Sequence, residues 1–241
     1  MLPLVQCSER MPLRIPACLS LFLLSLASLL IPSANASTCT VTSTADTTDS
    51  GTLRNCLTTV NPGDTIDFGV TGTITLTSAL PQITGNLTLY GSGPAVLTIS
   101  GAGSYPVFSI GSLATVTMNG MTIAHGSGTN GGGISNAGTL TFDNGAFTGN
   151  IASNSGGAIY SSGTLRLDTI SFSGNGSESF GGAIYNAGSG TVTVADSTFS
   201  GNRSSLGGAM AGGTLSVVNS TFSGNFAVDN GALSIAAARL R

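Results

Sequence analysis

The chain has 241 residues, of which 35 are glycine and only 7% are charged, and its net charge is −3. It contains no lysine and one histidine, His125. Nucleic-acid binding needs clustered cations and zinc sites need several ligands such as histidine, so the composition argues against both. With 41% apolar residues, the chain can bury a sizeable core. This composition is typical of an extracellular all-β protein.

Residues 1–36 have the pattern of a secretory signal peptide. Two arginines precede an apolar stretch, and a small-residue Ala-x-Ala cleavage site follows at residues 34–36. A membrane anchor is the competing interpretation, but the apolar stretch is at the lower limit for a span. Translation starts at Met1 or Met11. We expect an exported protein that begins near Ser37.

Residues 37–63 are predicted to form an N-terminal cap. Cys39 and Cys56 are the two cysteines that remain after cleavage, and in a secreted chain they most simply form one disulfide. A free thiol is the alternative. The stretch Ser50–Leu57 suits a short amphipathic helix across the open end of the repeat array that follows. Arg54 is expected to make a structural salt bridge or to lie on the surface.

Four similar segments follow one another between residues 131 and 225. Each begins with Gly-Gly and an apolar residue, and each ends with Phe-x-Gly-Asn, at a spacing of about 25 residues. The segments contain short runs of alternating apolar and polar residues and no helical periodicity, which excludes helical repeat arrays. They are too short for propeller blades and lack the leucine lattice of leucine-rich repeats.

The architecture that remains is all-β: a parallel β-helix over residues 64–241, with one coil per repeat and about seven coils in all. Less regular alternating runs continue the pattern upstream of the repeats. Stacked coils place equivalent residues above one another. The expected inward columns include Leu140, Leu165, Val192 and Leu215. The expected aromatic stack is Phe147, Phe172, Phe199 and Phe222, and the expected corner ladder is Asn150, Asn175, Asn202 and Asn225.

The paired motifs Gly-Gly-Ala-Ile and Phe-x-x-Asn, as at 181–184 and 199–202, resemble the repeat of chlamydial polymorphic outer membrane proteins. The stretch at 51–68, Gly-Thr-Leu-Arg-Asn-Cys through Gly-Asp-Thr-Ile-Asp-Phe, resembles the N-terminal module of secreted bacterial right-handed β-helix proteins. These resemblances imply a right-handed β-helix in a bacterial protein that is exported to the cell surface, the outer membrane or the medium, such as an adhesin or autotransporter passenger. The partial coil 226–241 is predicted to leave an uncapped edge open to self-association or to a covering subunit.

An enzyme is the alternative, because β-helices also carry pectate lyases and polygalacturonases. Asp143, Asp168 and Asp196 recur at matching repeat positions and, if stacked, form an acidic column able to bind Ca²⁺. Turn formation by aspartate explains the same recurrence. His125 begins a glycine-rich loop, where a solvated role is expected. We predict no catalytic residue, no cofactor and no metal.

The predicted function is a non-enzymatic module that binds extended polymers or cell-surface ligands through a flat face. Tyr160 and Tyr185 follow inward isoleucines and should face outward as an exposed pair able to hold a sugar ring. Arg166 lies between two inward leucines and should also face outward. The expected partners are a polysaccharide or a cell-surface ligand. The runner-up function is a polysaccharide lyase or glycoside hydrolase.

Overall fold

The protein is a parallel β-solenoid of about 8 turns. The computed structural model describes residues 36–188, 190–230 and 233–240. The predicted fold class is therefore confirmed. The residues of the predicted signal peptide lie almost entirely outside the described residues. The prediction of an uncapped last coil depends on side chains that are also outside the described part of the chain.

The described residues form one short helix and twenty-two strands. The helix, α1, spans Leu53–Thr59. In chain order the strands are β1 Thr38–Val41, β2 Thr65–Phe68, β3 Gly72–Thr75, β4 Leu87–Tyr90, β5 Leu97–Ser100, β6 Phe108–Ile110, β7 Thr115–Ala124, β8 Ser127–Asn130, β9 Ile134–Asn136, β10 Thr139–Thr148, β11 Ile151–Ser155, β12 Ile159–Ser161, β13 Thr164–Ser173, β14 Gly176–Ser177, β15 Ile184–Asn186, β16 Val192–Ala195, β17 Thr198–Ser200, β18 Arg203–Leu206, β19 Met210–Val218, β20 Thr221–Ser223, β21 Phe226–Asn230 and β22 Leu233–Leu240.

Seventeen strands form one continuous parallel sheet, and β8, β11, β14, β18 and β21 form a second sheet of five strands. Neighbouring strands come from successive coils, so each pairing joins residues that are one repeat apart. Thr139 pairs with Thr164, and Phe147 pairs with Phe172. The sheets therefore wrap around the core, and like residues stand in columns along the solenoid axis.

A bend in the middle of each coil sets which side chains point inward. Leu140 and Phe142 are buried, and so is Phe147, although strict alternation along β10 would turn Phe147 outward. Asn144 lies between them with a φ of 51°, in the left-handed region. This residue breaks the alternation, so the second half of the strand again directs its large side chain into the core.

Phenylalanines stack through the interior of the repeat region. The ring centroids of Phe147 and Phe172 are 5.0 Å apart, those of Phe172 and Phe199 are 4.6 Å apart, and those of Phe199 and Phe222 are 4.7 Å apart. Adjacent rings are nearly parallel, with interplanar angles of 2° to 7°. The first three rings are fully buried, while Phe222 is half-buried. The stack fills the core beneath the second half of each coil.

Buried asparagines connect the coils at the corner that follows each phenylalanine. Asn175 Nδ2 donates to Asn202 Oδ1 at 2.9 Å and to the carbonyl of Phe147 at 3.0 Å. Its Oδ1 accepts hydrogen bonds from the main-chain N–H and the side chain of Asn150. Asn202 bonds to Asn225 in the same way. Every polar atom of the Asn175 amide thus has a partner inside the solenoid.

The helix α1 lies in the N-terminal part of the chain and buries Leu53 and Cys56 in the hydrophobic core. Cys56 forms a disulfide with Cys39, as predicted. Cys39 lies in β1, and β1 pairs in parallel with β2. The sheet therefore begins within the segment that the sequence assigns to the cap, which explains why the structure has about 8 turns rather than seven.

Candidate functional site

Three aromatic rings lie together on the surface of two successive coils. Tyr160 in β12 pairs with Tyr185 in β15, and their ring centroids are 5.8 Å apart with a 49° tilt. Phe180, in the loop before β15, stacks on Tyr185 at 5.2 Å and 20°. We call these three residues the aromatic cluster. Both tyrosines are half-buried and Phe180 is 37% exposed, so the tyrosines are less exposed than predicted.

The residues beside the aromatic cluster are small. In the same outward column Ser135 precedes Tyr160, and Ala211 follows Tyr185. Below the rings, Ile159 and Ile184 are fully buried and anchor the two strands to the core. The cluster therefore has a rigid base, and the next residue on either side of it in the column carries no ring. Ala211 is itself buried.

Arg166 lies on a different strand from the tyrosine pair. It is an outward residue of β13, and its Nη2 is 3.6 Å from Asp168 Oδ2. The side chain of Arg166 is 58% exposed and that of Asp168 is 33% exposed, so solvent screens this ion pair. The turn at Gly163 separates β12 from β13, and Arg166 is not part of the aromatic cluster.

The predicted acidic column does not form as a set of three. Asp143 pairs with Asp168, but Asp168 pairs with Ala195 rather than Asp196. Asp196 lies one position further on and has a φ of 47°. It occupies the left-handed bend position, where short polar residues are tolerated. Asp196 therefore has the turn role that the sequence offered as the alternative to Ca²⁺ binding.

Other candidate residues have structural positions. Arg54 forms an ion pair with Asp46, which is one of the roles expected for it. His125 is exposed and has a φ of 47° at the start of its loop. Within the described ranges, no three histidine, cysteine or acidic residues are grouped as metal ligands would be.

Two surface cavities lie in the N-terminal half of the described chain, away from the repeats. One has a volume of about 90 Å³ between the end of α1 and residues 82–87. The other, about 350 Å³, is lined by Gln82, Thr84 and residues 111–113, with Ala137 at its edge. Leu113 in the second cavity is 89% exposed. Neither cavity is lined by an aromatic or charged side chain.

Comparison with protein families finds one match. The model of the Chlamydia polymorphic membrane protein (Chlamydia_PMP) repeat matches residues 140–162 and 169–187. No curated protein and no solved structure shows significant similarity. The first matched segment ends after Tyr160, and the second contains Phe180 and Tyr185. The aromatic cluster thus lies within the matched repeats.

The match and the fold together define the class of protein. The chain is a β-helix protein with polymorphic membrane protein repeats. Such repeats indicate a surface-exposed, autotransporter-like β-helix, and their family is non-enzymatic. In Chlamydia the family is associated with the surface or outer membrane, which is consistent with export. No helix among the described residues is long and apolar enough to cross a membrane.

Proposed function

We propose that this protein is an exported adhesin-like module that binds neutral glycan chains through the aromatic cluster. The observation that supports the proposal is the contact of three partly exposed rings on two successive coils. Sugar rings pack their C–H groups on the electron-rich faces of aromatic side chains. Tyrosine also supplies a large contact area at a low cost in side-chain entropy.

The shape of the cluster favours a chain over a single small sugar. Small ligands bind in concave pockets that bury most of their surface, whereas the cluster lies on outward positions of two paired strands. Tyr160 and Tyr185 are one coil apart, and neighbouring coils repeat at about 4.8 Å. A polymer lying along the solenoid axis therefore meets a tyrosine ring on each of these two coils, and the two weak contacts add.

The charge around the cluster favours a neutral glycan. Glu178 is exposed and lies two residues before Phe180. Arg166, which could attract an acidic sugar, lies on another strand and pairs with Asp168. A carboxylate-bearing polymer such as polygalacturonate would therefore be repelled near Phe180, while an uncharged chain would not.

The proposal is tested by affinity electrophoresis of the purified protein in gels that contain neutral polysaccharides, with polygalacturonate as the acidic comparison. The expected result is retardation by at least one neutral polysaccharide. Tyr185→Ala should reduce the affinity about fivefold, because Tyr185 contacts both other rings and an aromatic contact contributes about 1 kcal/mol. Tyr185→Phe should retain binding because it keeps the ring.

Tyr90→Ala is the matched control, because Tyr90 is an outward tyrosine with 57% exposure on another strand. Equal effects of Tyr90→Ala and Tyr185→Ala would contradict the proposal, and so would an absence of retardation by every neutral polysaccharide. Release of unsaturated product from polygalacturonate with Ca²⁺ would instead assign the protein to the lyases.

A further inference from the structure

A second surface, distinct from the aromatic cluster, carries threonine in two parallel columns. It is formed by the outward positions at the start of β7, β10 and β13, and by the equivalent positions at β16 and in β19. Thr139 pairs with Thr115 and Thr164, and Thr141 pairs with Thr117 and Arg166. We call these positions the threonine face. The first column is Thr115, Thr139, Thr164, Thr191 and Thr214, and the second is Thr117, Thr141, Arg166, Thr193 and Ser216.

The side chains of the threonine face are open to a ligand. All five threonines of the first column are exposed, and those of the second are exposed or half-buried. The buried side chains of Asn136 and Asn186 donate hydrogen bonds to the main-chain carbonyls of Thr164 and Thr214 and not to the threonine hydroxyls. The hydroxyls of the face make no hydrogen bond to any other residue that the structure describes. Their hydrogen-bonding capacity is therefore left for water or a ligand.

The threonine face is also rigid. Between its two columns runs an inward column that is buried in every coil, formed by Val116, Leu140, Leu165, Val192 and Leu215. Threonine is β-branched, so its χ1 angle is restricted in a strand. Hydroxyl and methyl groups are therefore held in fixed directions, and little entropy is lost when a partner binds.

The positions form a two-dimensional lattice. Neighbouring coils are about 4.8 Å apart, and outward residues two apart along a strand are about 6.6 Å apart. Five coils carry this lattice. A periodic array of hydroxyls is complementary to a partner that is itself periodic, because every contact is then made in the same register.

Charge and side-chain type decide between the two periodic partners of this kind, an ice surface and a crystalline polysaccharide. The face has no aromatic ring on which a sugar could stack, whereas the aromatic cluster lies on other strands. Arg166 is the sole charged residue of the ten, and it pairs with Asp168 at the border of the face. Methyl groups next to hydroxyls suit a lattice of water molecules, which the hydroxyls can join as donors and acceptors.

We propose that the threonine face binds ice. Water molecules held between the threonine columns take the positions that the columns impose and continue into the ice lattice. Arg166 interrupts the second column at its centre, where its long charged side chain holds water in a different arrangement. The affinity of the natural chain for ice is therefore lower than that of an uninterrupted array, and Arg166→Thr completes it.

The test measures how much of the purified full chain enters slowly growing ice, together with its thermal hysteresis. The natural protein is expected to enter the ice above the level of a non-binding protein of similar size. Arg166→Thr should raise the ice-bound fraction severalfold, and Thr164→Lys should lower it to the background. Ser171→Lys is the matched control, because Ser171 is an exposed outward residue of the same strand on the other side of the bend.

Circular dichroism before the assay establishes that each variant keeps its β-structure. The proposal is overturned if the natural chain and Arg166→Thr both stay at the background, or if Ser171→Lys lowers ice binding as much as Thr164→Lys does. Binding to microcrystalline cellulose that Thr164→Lys abolishes would assign the face to a polysaccharide. Tyr185→Ala should leave ice binding unchanged, so this proposal and the glycan proposal fail separately.

Discussion

Arg54 in α1 holds Asp46 with two parallel hydrogen bonds, from Nε to Oδ1 at 2.9 Å and from Nη2 to Oδ2 at 2.8 Å. The same guanidinium donates to the carbonyls of Ser78 and Ala79. Arg54 thus joins the loop before α1 to the turn that follows β3. Such bidentate pairs fix orientation more strongly than single contacts, so the segment that contains α1 is attached to the solenoid by more than its disulfide.

This contact predicts a dependence of stability on pH. Burial alone would raise the pKa of Asp46, but hydrogen bonds from Arg54 and Thr77 outweigh it and lower the pKa below the ordinary value of 3.8. Main-chain N–H groups of Ser37 and Asn61 lower the pKa of Asp64 in the same direction. Both carboxylates therefore stabilise the fold fully above their ordinary pKa, and this contribution is lost as the pH falls through the lowered values.

We expect the melting temperature to be nearly constant from neutral pH down to about pH 5 and to fall at lower pH. Asp46→Asn should lower the melting temperature at pH 7 and reduce the decline in acid, as measured by circular dichroism. Asp229→Asn, at an exposed position, is the control and should change neither. An unchanged acid decline in Asp46→Asn would show that Asp46 is not one of the responsible groups.

The asparagine ladder predicts a large loss of stability from a single substitution. Asn175→Ala removes the acceptor of the buried Asn150 N–H and the donor to the Phe147 carbonyl. Leaving such groups without partners costs about 1–3 kcal/mol each, so we expect a loss of about 3 kcal/mol or more. Urea unfolding followed by circular dichroism measures it.

Asn154→Ala is the matched control for the ladder. Asn154 also donates its amide to an asparagine one coil away, Asn130, but it is exposed. Its replacement should change the stability by no more than about 0.5 kcal/mol. Similar losses in Asn175→Ala and Asn154→Ala would mean that burial does not set the strength of the ladder.

The bend position predicts a stabilising substitution. Asn144, Asp196 and Asn219 have φ values between 47° and 51°, and Thr169 is the corresponding residue of its coil at 56°. The left-handed region is unfavourable for a β-branched side chain and more accessible to asparagine. Thr169→Asn should therefore raise the stability by about 1 kcal/mol, seen as a higher melting temperature.

Thr164→Asn, in the extended part of the same strand, provides the comparison for the bend. Extended backbone favours threonine over asparagine, so this variant should be neutral or less stable than the natural chain. A lower melting temperature for Thr169→Asn would show that the Thr169 hydroxyl contact to Asp168 outweighs the backbone preference.

Reduction of the Cys39–Cys56 disulfide should loosen the N-terminal end before the repeats. The two cysteines are 17 residues apart, and a loop of this size contributes about 3 kcal/mol in the chain-entropy model. We expect dithiothreitol to increase hydrogen exchange in β1 and α1, while the amides of Asn150 and Asn175 stay protected. Uniform loss of protection would indicate that the solenoid unfolds as one unit.

The columns of the repeat region could be predicted from spacing alone, and one error shows how they are set. Phe172 and Phe199 are 27 residues apart, and the two extra residues lie between β15 and β16, because Ile159 and Ile184 are still 25 residues apart. Counting from Phe172 places Ala195 opposite Asp168, as found. Aligning the repeats by their aspartates placed Asp196, instead of Ala195, opposite Asp168. The buried aromatic residue determines the register, because moving it would cost far more than moving a surface carboxylate.

Contacts made by irregular segments could not be predicted in this way. Phe180 reaches Tyr185 from a loop, and Arg54 reaches Asp46 and two carbonyls of a distant turn. These contacts depend on the path of each loop, which the repeat does not encode. The place of Cys39 in the sheet was missed for a similar reason, because β1 has only four residues and its partner lies beyond α1.

The pairing of Thr139 with Thr164 has a consequence for how such a molecule changes in size. The chain returns to the same point of its path after 25 residues, as the Asn150–Asn175 separation also shows. Excision of residues 139–163 would join Gly138 to Thr164, a junction equivalent to the natural one between Gly163 and Thr164. The protein can thus be shortened or lengthened by whole repeats. The residues that remain keep their places in the columns, so each remaining surface keeps its arrangement.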